Sequence, residues 1–471
     1  MADIVVIGAG PMGLSTAMLL AGRGHEVIVL ERDPDPPTED VATAWSSWTR
    51  RGVAQFRQTH LMLPRARHVL DEHLPGVVAE LTSLGAHSFN EVSDAPSSVV
   101  DRAPRPGDDR FRGINARRPV LELAFARAAA SSTSIDVRRG VPVESLLVGR
   151  ERSAGAVHVD GIRTAGGDEL VADVVIDAGG RRSPLPRLLE SAGGRPLEEV
   201  AEDSGFAYYT RHFSSSDGSL PERTTPALTP YGSISILSVH CDNGTWAVTL
   251  YASSGDSIMR RTRESVVHER VVRAFPLHAH WVDGNPIGDV VSMTSVVDLR
   301  RSIVVDGAPV ITGLIPVGDA WACTNPSLGR GFTFGLLHAV LSTSLIEAHL
   351  DDLVALATAW QLATDEELGP WHEATLTLDR ARSREIEGIL TGQPVDLGSD
   401  PVLGMSKALF AAAARDPDVL RGFAEVASCL APAEKVFARP GFLELVFEVA
   451  AAHPDPAPGP DRAELEQLVS A

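Results

Sequence analysis

The sequence predicts an α/β fold: a Rossmann-type domain with a parallel sheet, an inserted antiparallel β-sheet and a helical C-terminal region. Three observations support this fold class. An apolar strand at 3–7 runs into a glycine-rich turn and a helix, and a second apolar strand follows at 27–30. Between 206 and 299, apolar and polar residues alternate in short segments separated by Gly, Asn, Asp and Pro, which is typical of antiparallel strands. From 331 onward the pattern is mostly helical.

The glycine-rich turn at 8–13 has the residues that a dinucleotide requires. Gly8 permits a tight turn, Gly10 lets the backbone approach a pyrophosphate, and Gly13 lets the helix pack closely on the strand. The N-terminus of that helix offers free N–H groups and a partial positive charge to phosphates. Glu31 ends the next strand, where its carboxylate can accept hydrogen bonds from both ribose hydroxyls. The sequence therefore predicts an adenine dinucleotide site at this end of the chain.

Composition limits the classes of partner. The formal net charge of −20 argues against nucleic acid or an anionic membrane as a standing partner. The three cysteines are widely spaced without a CxxC pair, so neither a disulfide framework nor a metal site is indicated. Hydrophobic content of 44% and a mean hydropathy of +0.02 are typical of a soluble protein. Apolar runs such as 14–21 are too short to span a bilayer, so we expect a cytoplasmic protein without stable membrane insertion.

A second glycine-rich segment lies at 318–331. A strand ends in Gly-Asp, a proline loop follows, and a glycine pair opens a long helix. Asp319 can accept a hydrogen bond from a sugar-alcohol hydroxyl, such as those of the ribityl chain of a flavin. Gly329 and Gly331 can bring bare backbone N–H groups, with the helix dipole behind them, against a flat ring that gains negative charge on reduction. Together with the first turn, this segment predicts FAD as the dinucleotide.

Three segments in this order resemble those of the single-component FAD-dependent monooxygenases of the para-hydroxybenzoate hydroxylase-like superfamily. They are the 8–13 turn, Asp177-Ala178-Gly179-Gly180-Arg181-Arg182-Ser183, and Gly318-Asp319 with Pro326 and Gly329-Arg330-Gly331. The Asp-Ala-small-Gly form and the Gly52-Val53-Ala54-Gln55 stretch with His60 downstream are similar to the epoxidase-like branch. The resemblance spans about residues 3–350.

The resemblance implies a set of cofactor contacts. In it, Glu31 and the first turn hold the ADP half of FAD, Val143 contacts adenine, and Arg118 reaches the ribityl and phosphate region. Arg330 stands where the family commonly has Gln, and it is either a cation near the ring or a salt-bridged helix cap. The implied cofactor-binding residues are Gly8, Gly10, Pro11, Met12, Gly13, Glu31, Arg32, Arg51, Arg118, Val143, Asp177, Gly179, Asp319, Pro326, Gly329, Arg330, Gly331 and Phe332.

The alternating segments supply the substrate candidates. Tyr209, Arg211, Trp246 and Tyr251 are large or polar side chains on strands of the predicted antiparallel sheet. Alternation alone leaves half of such positions facing away from a site, so either orientation remains open for each. The sequence shows no His/Asp or paired-carboxylate spacing that identifies a general base.

The resemblance implies a flavin monooxygenase. NAD(P)H reduces FAD, the reduced flavin forms a hydroperoxide with dioxygen, and one oxygen atom passes to an electron-rich aromatic or alkene small molecule, in secondary metabolism. Because the chain has no second dinucleotide fingerprint, NAD(P)H binds transiently or a separate flavin reductase supplies electrons. Two alternatives remain: an FAD-dependent reductase or dehydrogenase of an apolar, isoprenoid-like substrate, and a non-catalytic flavin-binding protein.

The predicted organisation places the inserted sheet inside the cofactor domain. The FAD-binding domain covers 1–195, with a substrate-side insertion around 75–115, and continues at 301–350. The substrate-binding antiparallel sheet covers 196–300, and a helical region covers 351–471. Within these, single strands are expected at 292–299 and 310–315, a loop at 33–60, and an extended proline-rich tail at 453–460.

Overall fold

The protein is built on a five-stranded parallel sheet. The computed structural model describes residues 1–294, 296–393, 395–453 and 457–471, so part of the tail expected at 453–460 lies outside the described residues. Its strands are almost continuously apolar and buried, and they belong to the main hydrophobic core of the protein. In spatial order the strands are Leu314–Pro316, Val174–Asp177, Asp3–Ile7, Glu26–Glu31 and Ile135–Arg139.

The helices pack on this sheet, pack on a second sheet, or pack on one another in the C-terminal region. Pro11–Ala21 begins at a proline in the first helical position, which is pre-set for a helix start. The α-helices of the described residues are Pro11–Ala21, Val41–Ser46, Pro64–His73, Pro75–Ser83, Arg118–Ala130, Leu185–Ser191, Ser265–Arg273, Gly331–His349, Leu353–Glu367, Gly369–Leu390, Pro401–Ala413, Pro417–Ala427, Ala433–Phe437, Phe442–Ala452 and Arg462–Ser470.

Among the described residues, one helix is long and apolar enough to cross a membrane, and it is Gly331–His349. More than half of its apolar window is buried inside the protein. Phe332, Leu336 and Ile346 belong to the main hydrophobic core, which also contains the strands of the parallel sheet. The length and hydropathy of this helix are therefore those of a central core helix.

The second large sheet is antiparallel and has a different environment on each face. One face packs on the helices Ser265–Arg273 and Arg462–Ser470 and forms a separate core that includes Val271 and Leu465. The other face carries Phe206 and Tyr251, which pack with Ile386 of the helix Gly369–Leu390. In spatial order its strands are Leu228–Tyr231, Ile234–His240, Thr245–Ser253, Phe206–Ser214 and Asn285–Met293.

Smaller sheets connect the two large ones. Most pair antiparallel, the exception being Ile311–Thr312, which runs parallel to Val157–Thr164. One sheet contains Thr59–Met62, Arg112–Arg117 and His87–Asn90; a second contains Glu198–Asp203, Val297–Ser302 and Ala322–Cys323; a third contains Ile311–Thr312, Val157–Thr164, Val143–Val148 and Glu169–Val171; and Val304–Val305 pairs with Ala308–Pro309.

The predicted α/β class is confirmed, and three local predictions need correction. The strand expected at 292–299 is the end of one strand and the start of another, which pair in different sheets. The strand expected at 310–315 is broken at Gly313, which has a φ of +75°. A side chain is also excluded there, because a Cβ would lie 2.3 Å from the Val159 carbonyl oxygen. The loop expected at 33–60 contains the short helix Val41–Ser46, because the Asp40 side chain caps it by accepting from the Thr43 N–H.

Candidate functional site

One cavity of about 460 Å³ joins the two glycine-rich segments. It opens at the carboxyl ends of the parallel strands, where ligands bind in sheets of this type. Gly10 and Glu31 line one end, Asp319 and Gly331 line the middle, and Tyr251 of the antiparallel sheet lines the other end. Residues about 300 positions apart in the sequence therefore face the same space.

The glycines of the first turn serve two purposes: Gly8 and Gly13 allow close packing, and Gly10 leaves open space for a ligand. Gly8 has a φ of +105°, and a Cβ there would lie 2.5 Å from the Ala178 carbonyl oxygen. A Cβ on Gly13 would lie 1.9 Å from the Gly8 carbonyl oxygen, so this glycine is required by the contact of helix and strand. A Cβ on Gly10 would meet no described atom within 4 Å, and Gly10 lines the cavity. The space beside Gly10 fits a group that approaches the backbone at the helix N-terminus, as a pyrophosphate does.

Glu31 is held in a fixed orientation at the cavity wall. Its Oε2 accepts hydrogen bonds from the Ala9 N–H at 3.0 Å and from Arg50 Nη2 at 2.6 Å, and its Oε1 accepts from the Asp33 N–H at 3.0 Å. Arg50 also contacts Asp33 through Nε at 3.2 Å and Glu122 through Nη1 at 2.5 Å. One buried guanidinium therefore pairs with three carboxylates, which allows a negative charge to stay next to a ribose position.

Arg50, not its neighbour, is the arginine that reaches the cavity. The resemblance implies a cofactor contact for Arg51, but the Arg51 side chain is exposed and the cavity lining includes Arg50 instead. Arg118 lines the cavity, and its Nε donates to Glu122 at 2.8 Å. The resemblance pointed to the loop of Arg50 and Arg51, but spacing gave no signal for the carboxylates that bind Arg50, because they lie between 17 and 72 residues away.

The middle of the cavity presents backbone donors and one carboxylate. Asp319 follows Gly318, and loss of hydration raises the pKa of its carboxyl above the ordinary value. Gly329 takes a φ of +67° and donates its N–H to the Pro326 carbonyl at 2.9 Å, which turns the chain into the next helix. A Cβ on Gly331 would meet nothing within 4 Å in the described part of the chain. The N-terminus of Gly331–His349 therefore faces open cavity.

Most of the predicted cofactor residues line this one cavity, and four do not. Those in the lining are Gly8, Gly10, Pro11, Met12, Glu31, Arg32, Arg118, Val143, Gly179, Asp319, Pro326, Gly329, Gly331 and Phe332. Those outside it are Gly13, Arg51, Asp177 and Arg330.

Asp177 shapes the wall without reaching the cavity. Its side chain is buried, and its Oδ1 accepts from the Gly179 N–H at 2.9 Å while the Ser183 hydroxyl donates to Oδ2. Burial raises the pKa of this carboxyl. Asp177 therefore folds the turn that presents Gly179 and Gly180 to the cavity.

Arg330 lies outside the cavity lining and is held by the C-terminal helices. Its Nη1 donates to Thr375 Oγ1 at 3.2 Å, its Nη2 donates to the Val426 carbonyl at 3.1 Å, and the guanidinium lies 5.7 Å from the centre of the Trp371 ring. It is 3% exposed. Its hydrogen-bond partners are neutral, so Arg330 is not a salt-bridged helix cap, and it anchors the helix start to the C-terminal helices.

The four substrate candidates divide between the two faces of the antiparallel sheet. Tyr209 and Trp246 belong to the core beneath the sheet, and Trp246 donates its indole N–H to the Trp281 carbonyl at 2.7 Å. Arg211 forms an ion pair with Glu269, which lies on the helix covering the same face. Tyr251 alone of the four lines the cavity.

Tyr208, which is not among the predicted substrate residues, shares the cavity face with Tyr251. The two residues are paired across neighbouring strands, and their ring centres lie 5.1 Å apart. Two-residue alternation was the available signal, because a strand that points Tyr209 into the core must point Tyr208 the other way. Leu228, Leu237, Thr249 and Met293 complete this sheet side of the lining.

The sheet side of the cavity is uncharged. Aromatic, aliphatic and hydroxyl side chains line it within the described residues. His60 borders it, and burial lowers the pKa of its imidazole to about 3, so the ring is neutral at physiological pH. A compartment of this kind favours an uncharged, largely apolar ligand.

Comparisons with known proteins agree with this geometry. Residues 3–98 match the family model of FAD dependent oxidoreductases. Among relatives, Protein Rv3254 of Mycobacterium tuberculosis is 26% identical over 354 residues, 71% of each chain. Kynurenine 3-monooxygenase of Myxococcus xanthus is 24% identical over 77% of this chain and 73% of that protein. Digeranylgeranylglycerophospholipid reductase of Haloferax volcanii is 25% identical over 40% of this chain and 38% of that protein.

Solved structures extend the likeness to most of the fold. PqsL of Pseudomonas aeruginosa superposes with a TM-score of 0.59 at 17% identity, covering 82% of this chain and 96% of PqsL. OxyS anhydrotetracycline hydroxylase of Streptomyces rimosus superposes with a TM-score of 0.55 at 16% identity, covering 91% of this chain and 76% of that chain.

Residues 3–98 thus match an FAD dependent oxidoreductase domain, and the chain has the fold of PqsL and OxyS. These matches confirm the predicted fold and the predicted resemblance to FAD-dependent monooxygenases, and they support FAD as the cofactor.

Proposed function

We propose that the protein is an FAD-dependent monooxygenase that hydroxylates or epoxidises an uncharged, electron-rich aromatic or alkene small molecule. The observation that carries the proposal is the single cavity that runs from the dinucleotide turn to the apolar wall of the antiparallel sheet. A cofactor held at Gly10 and Asp319 would direct its ring toward Tyr208 and Tyr251. Likeness to proteins named as monooxygenases and hydroxylases supports the same reaction class.

The residues of the cavity fit the successive parts of FAD. Gly10 and the helix behind it would receive the pyrophosphate, Glu31 would accept from the ribose hydroxyls, and Val143 would border adenine. Asp319 and Arg118 would contact the ribityl chain, and the helix N-terminus at Gly331 would stabilise negative charge on the ring edge. When bound, FAD supplies the transfer of electrons to dioxygen and of one oxygen atom to the substrate.

The protein itself orients the cofactor and the substrate in a cavity from which water is excluded. The sheet wall excludes water by its apolar side chains, and excluding water strengthens every polar contact inside. Its neutrality argues for a substrate without a permanent charge. We therefore propose an aromatic or alkene small molecule of secondary metabolism, processed in the cytoplasm.

The electron donor is the second part of the proposal. NAD(P)H would bind transiently, or a separate flavin reductase would deliver electrons. NADH and NADPH consumption by the purified FAD-loaded protein, with and without a panel of aromatic compounds, distinguishes these routes. Consumption stimulated by a compound supports direct reduction. Turnover only after adding a flavin reductase supports the separate route.

The decisive experiment uses labelled dioxygen. The FAD-loaded protein is incubated with ¹⁸O₂, a reductant and the compound panel, and products are analysed by mass spectrometry. We expect a product that carries one labelled oxygen atom. Gly10→Ala, whose Kd for FAD should rise roughly ten- to hundredfold, is the matched control and should give less product when FAD is limiting.

An FAD-dependent reductase of an isoprenoid-like substrate is the second candidate. The partial likeness to the Haloferax volcanii reductase and the apolar sheet wall favour it. A product that gains or loses hydrogen without labelled oxygen would support this reading and refute the monooxygenase. If no compound changes either NAD(P)H consumption or the flavin spectrum, the protein is instead a non-catalytic flavin-binding protein.

A further inference from the structure

A buried hydrogen-bonded cluster lies behind the ring end of the cavity. Its centre is Asp379 of the helix Gly369–Leu390, which is 6% exposed. Asp379 Oδ1 accepts a hydrogen bond from the Ser327 hydroxyl at 2.8 Å and another from Asn325 Nδ2 at 3.0 Å. Ser327 lines the cavity next to Pro326. The carboxyl is therefore one hydrogen bond away from the space in which the flavin ring and substrate would meet.

The second carboxyl oxygen of Asp379 is the unusual feature. Asp379 Oδ2 is buried and has no hydrogen-bond partner among the described residues. A buried carboxylate oxygen without a donor is costly, whereas a carboxylic acid needs fewer donors. Accordingly, burial raises the pKa of Asp379 to about 7, and the donors Ser327 and Asn325 lower it less. The group is thus able to hold or release a proton near neutral pH.

The other groups that face Asp379 come from three further elements. Asp298, on Val297–Ser302, contributes a like charge that raises the pKa of Asp379, and Arg330 contributes a positive charge that lowers it. Tyr208 and Tyr251, on the antiparallel sheet, remain neutral because burial raises the pKa of both phenols. The Tyr208 hydroxyl donates to Asn325 Oδ1, which fixes the direction of the Asn325 amide.

We propose that Asp379 is a positioning residue that accepts a proton from a substrate hydroxyl through the Ser327 hydroxyl. The proposal rests on the proposed function and narrows its substrate class to molecules that carry an ionisable hydroxyl. Because Ser327 donates its own proton toward Asp379, its oxygen lone pairs are free to accept from the cavity.

The proton transfer balances without any further reactant. The substrate O–H bond breaks and its proton joins Ser327 Oγ, while the Ser327 O–H bond breaks and its proton joins Asp379 Oδ1. Ser327 ends unchanged, Asp379 becomes a carboxylic acid, and the substrate remains as its anion, which is more electron-rich. Asn325 moves no proton, and it holds the carboxyl in place.

The test uses 4-nitrophenol as a probe, because its colour reports whether its hydroxyl is ionised. The probe is bound to the FAD-loaded protein across neutral pH, and infrared spectroscopy follows the protonated carboxyl. In the wild type we expect bound phenolate together with a protonated Asp379. In Asp379→Asn and in Ser327→Ala we expect the apparent ionisation constant of the bound probe to fall about tenfold, one pKa unit.

Control variants separate proton acceptance from structure. The amide oxygen introduced by Asp379→Asn can still accept both hydrogen bonds, so FAD affinity should not change. Ser327→Thr retains the hydroxyl and should restore the wild-type ionisation. Asp298→Asn removes the like charge and should move the Asp379 infrared titration to lower pH.

Each result has a distinct meaning. Equal ionisation of the probe in the wild type, Asp379→Asn and Ser327→Ala would overturn the proposal, as would failure of the probe to bind a protein that holds FAD. Failure to bind FAD at all would instead refute the proposed function.

Discussion

Replacing Gly10 with alanine should separate cofactor binding from folding. Gly10 has extended backbone angles (φ −77°, ψ 173°), and a Cβ there would meet no described atom within 4 Å. Alanine can adopt these angles without strain, and it reduces the conformational entropy of the unfolded chain. We therefore expect the Gly10→Ala apoprotein to be more stable than the wild type by about 0.4–1 kcal/mol.

The same methyl group should weaken FAD binding. It would occupy the space into which a pyrophosphate must move to reach the backbone N–H groups of Pro11–Ala21. A hydrogen bond to a charged phosphate contributes about 1.5–3 kcal/mol. Because every 1.4 kcal/mol is about a tenfold change in affinity, losing one such bond should raise the Kd for FAD roughly ten- to hundredfold.

Gly13→Ala is the matched variant with the opposite expected outcome. Its Cβ would lie 1.9 Å from the Gly8 carbonyl oxygen, so helix and strand must separate. We expect the apoprotein to lose about 1–3 kcal/mol of unfolding free energy. Urea unfolding of the apoproteins and FAD titration by flavin fluorescence measure both quantities. A Gly10→Ala protein that binds FAD within about twofold of the wild type (~0.4 kcal/mol) would refute the reasoning.

Four further predictions concern stability, reactivity and pH. Arg50→Met should lower the unfolding free energy by about 3–5 kcal/mol, because it leaves buried carboxylates without their positive partner. Arg51→Met should change the unfolding free energy by less than ~0.5 kcal/mol, and similar urea midpoints for the two variants would contradict this prediction. Trp246→Ala should cost about 3–5 kcal/mol and leave the Kd for FAD unchanged in the folded protein, since Trp246 lies in the core beneath the antiparallel sheet. Burial raises the pKa of the Cys241 thiol to about 12, so a thiol reagent should label it only after unfolding, and rapid labelling of the native protein would argue against its burial. Burial raises the pKa of Asp379 from 3.8 to about 7, so its proton is held more tightly in the folded state and wild-type stability should fall as pH rises through this interval. The unfolding free energy of Asp379→Asn should then equal that of the wild type near pH 3.8 and exceed it by roughly 4 kcal/mol above pH 7. Parallel curves of unfolding free energy against pH for the two proteins would contradict this prediction.

The parts of the fold that sequence could predict are those whose causes are local. The unit from 3 to 31 needs only apolar strands, a glycine turn and a helix start, and it folds as predicted. The helix Gly331–His349 is likewise marked by its own glycines and apolar content. The resemblance then linked the two segments, because local patterns alone do not say which loops share a cavity.

The parts that sequence missed depend on partners far along the chain. Alternation identified the strands around Trp246 and Tyr251, but only the helices Ser265–Arg273 and Arg462–Ser470 decide which face becomes core. Arg50 has no neighbour in sequence that predicts its three carboxylates. Asp379 lies in the C-terminal region, where the resemblance is weakest, and it meets Ser327 across 52 residues.

The electrostatics of the cavity follow from two helix starts that face the same space. Pro11–Ala21 and Gly331–His349 both begin without a side-chain cap in the described structure, so their first N–H groups are left for a ligand. The lack of a side-chain cap costs a helix about 1 kcal/mol of stability. The net charge of −20 does not offset this cost, because it is spread over the whole chain and not placed at the two helix N-termini. Two uncapped helix N-termini become favourable when one ligand presents a negative charge to each of them. A pyrophosphate at Gly10 and a reduced ring at Gly331 meet that condition together, which is why the cofactor, rather than a side chain, is expected to complete both helices.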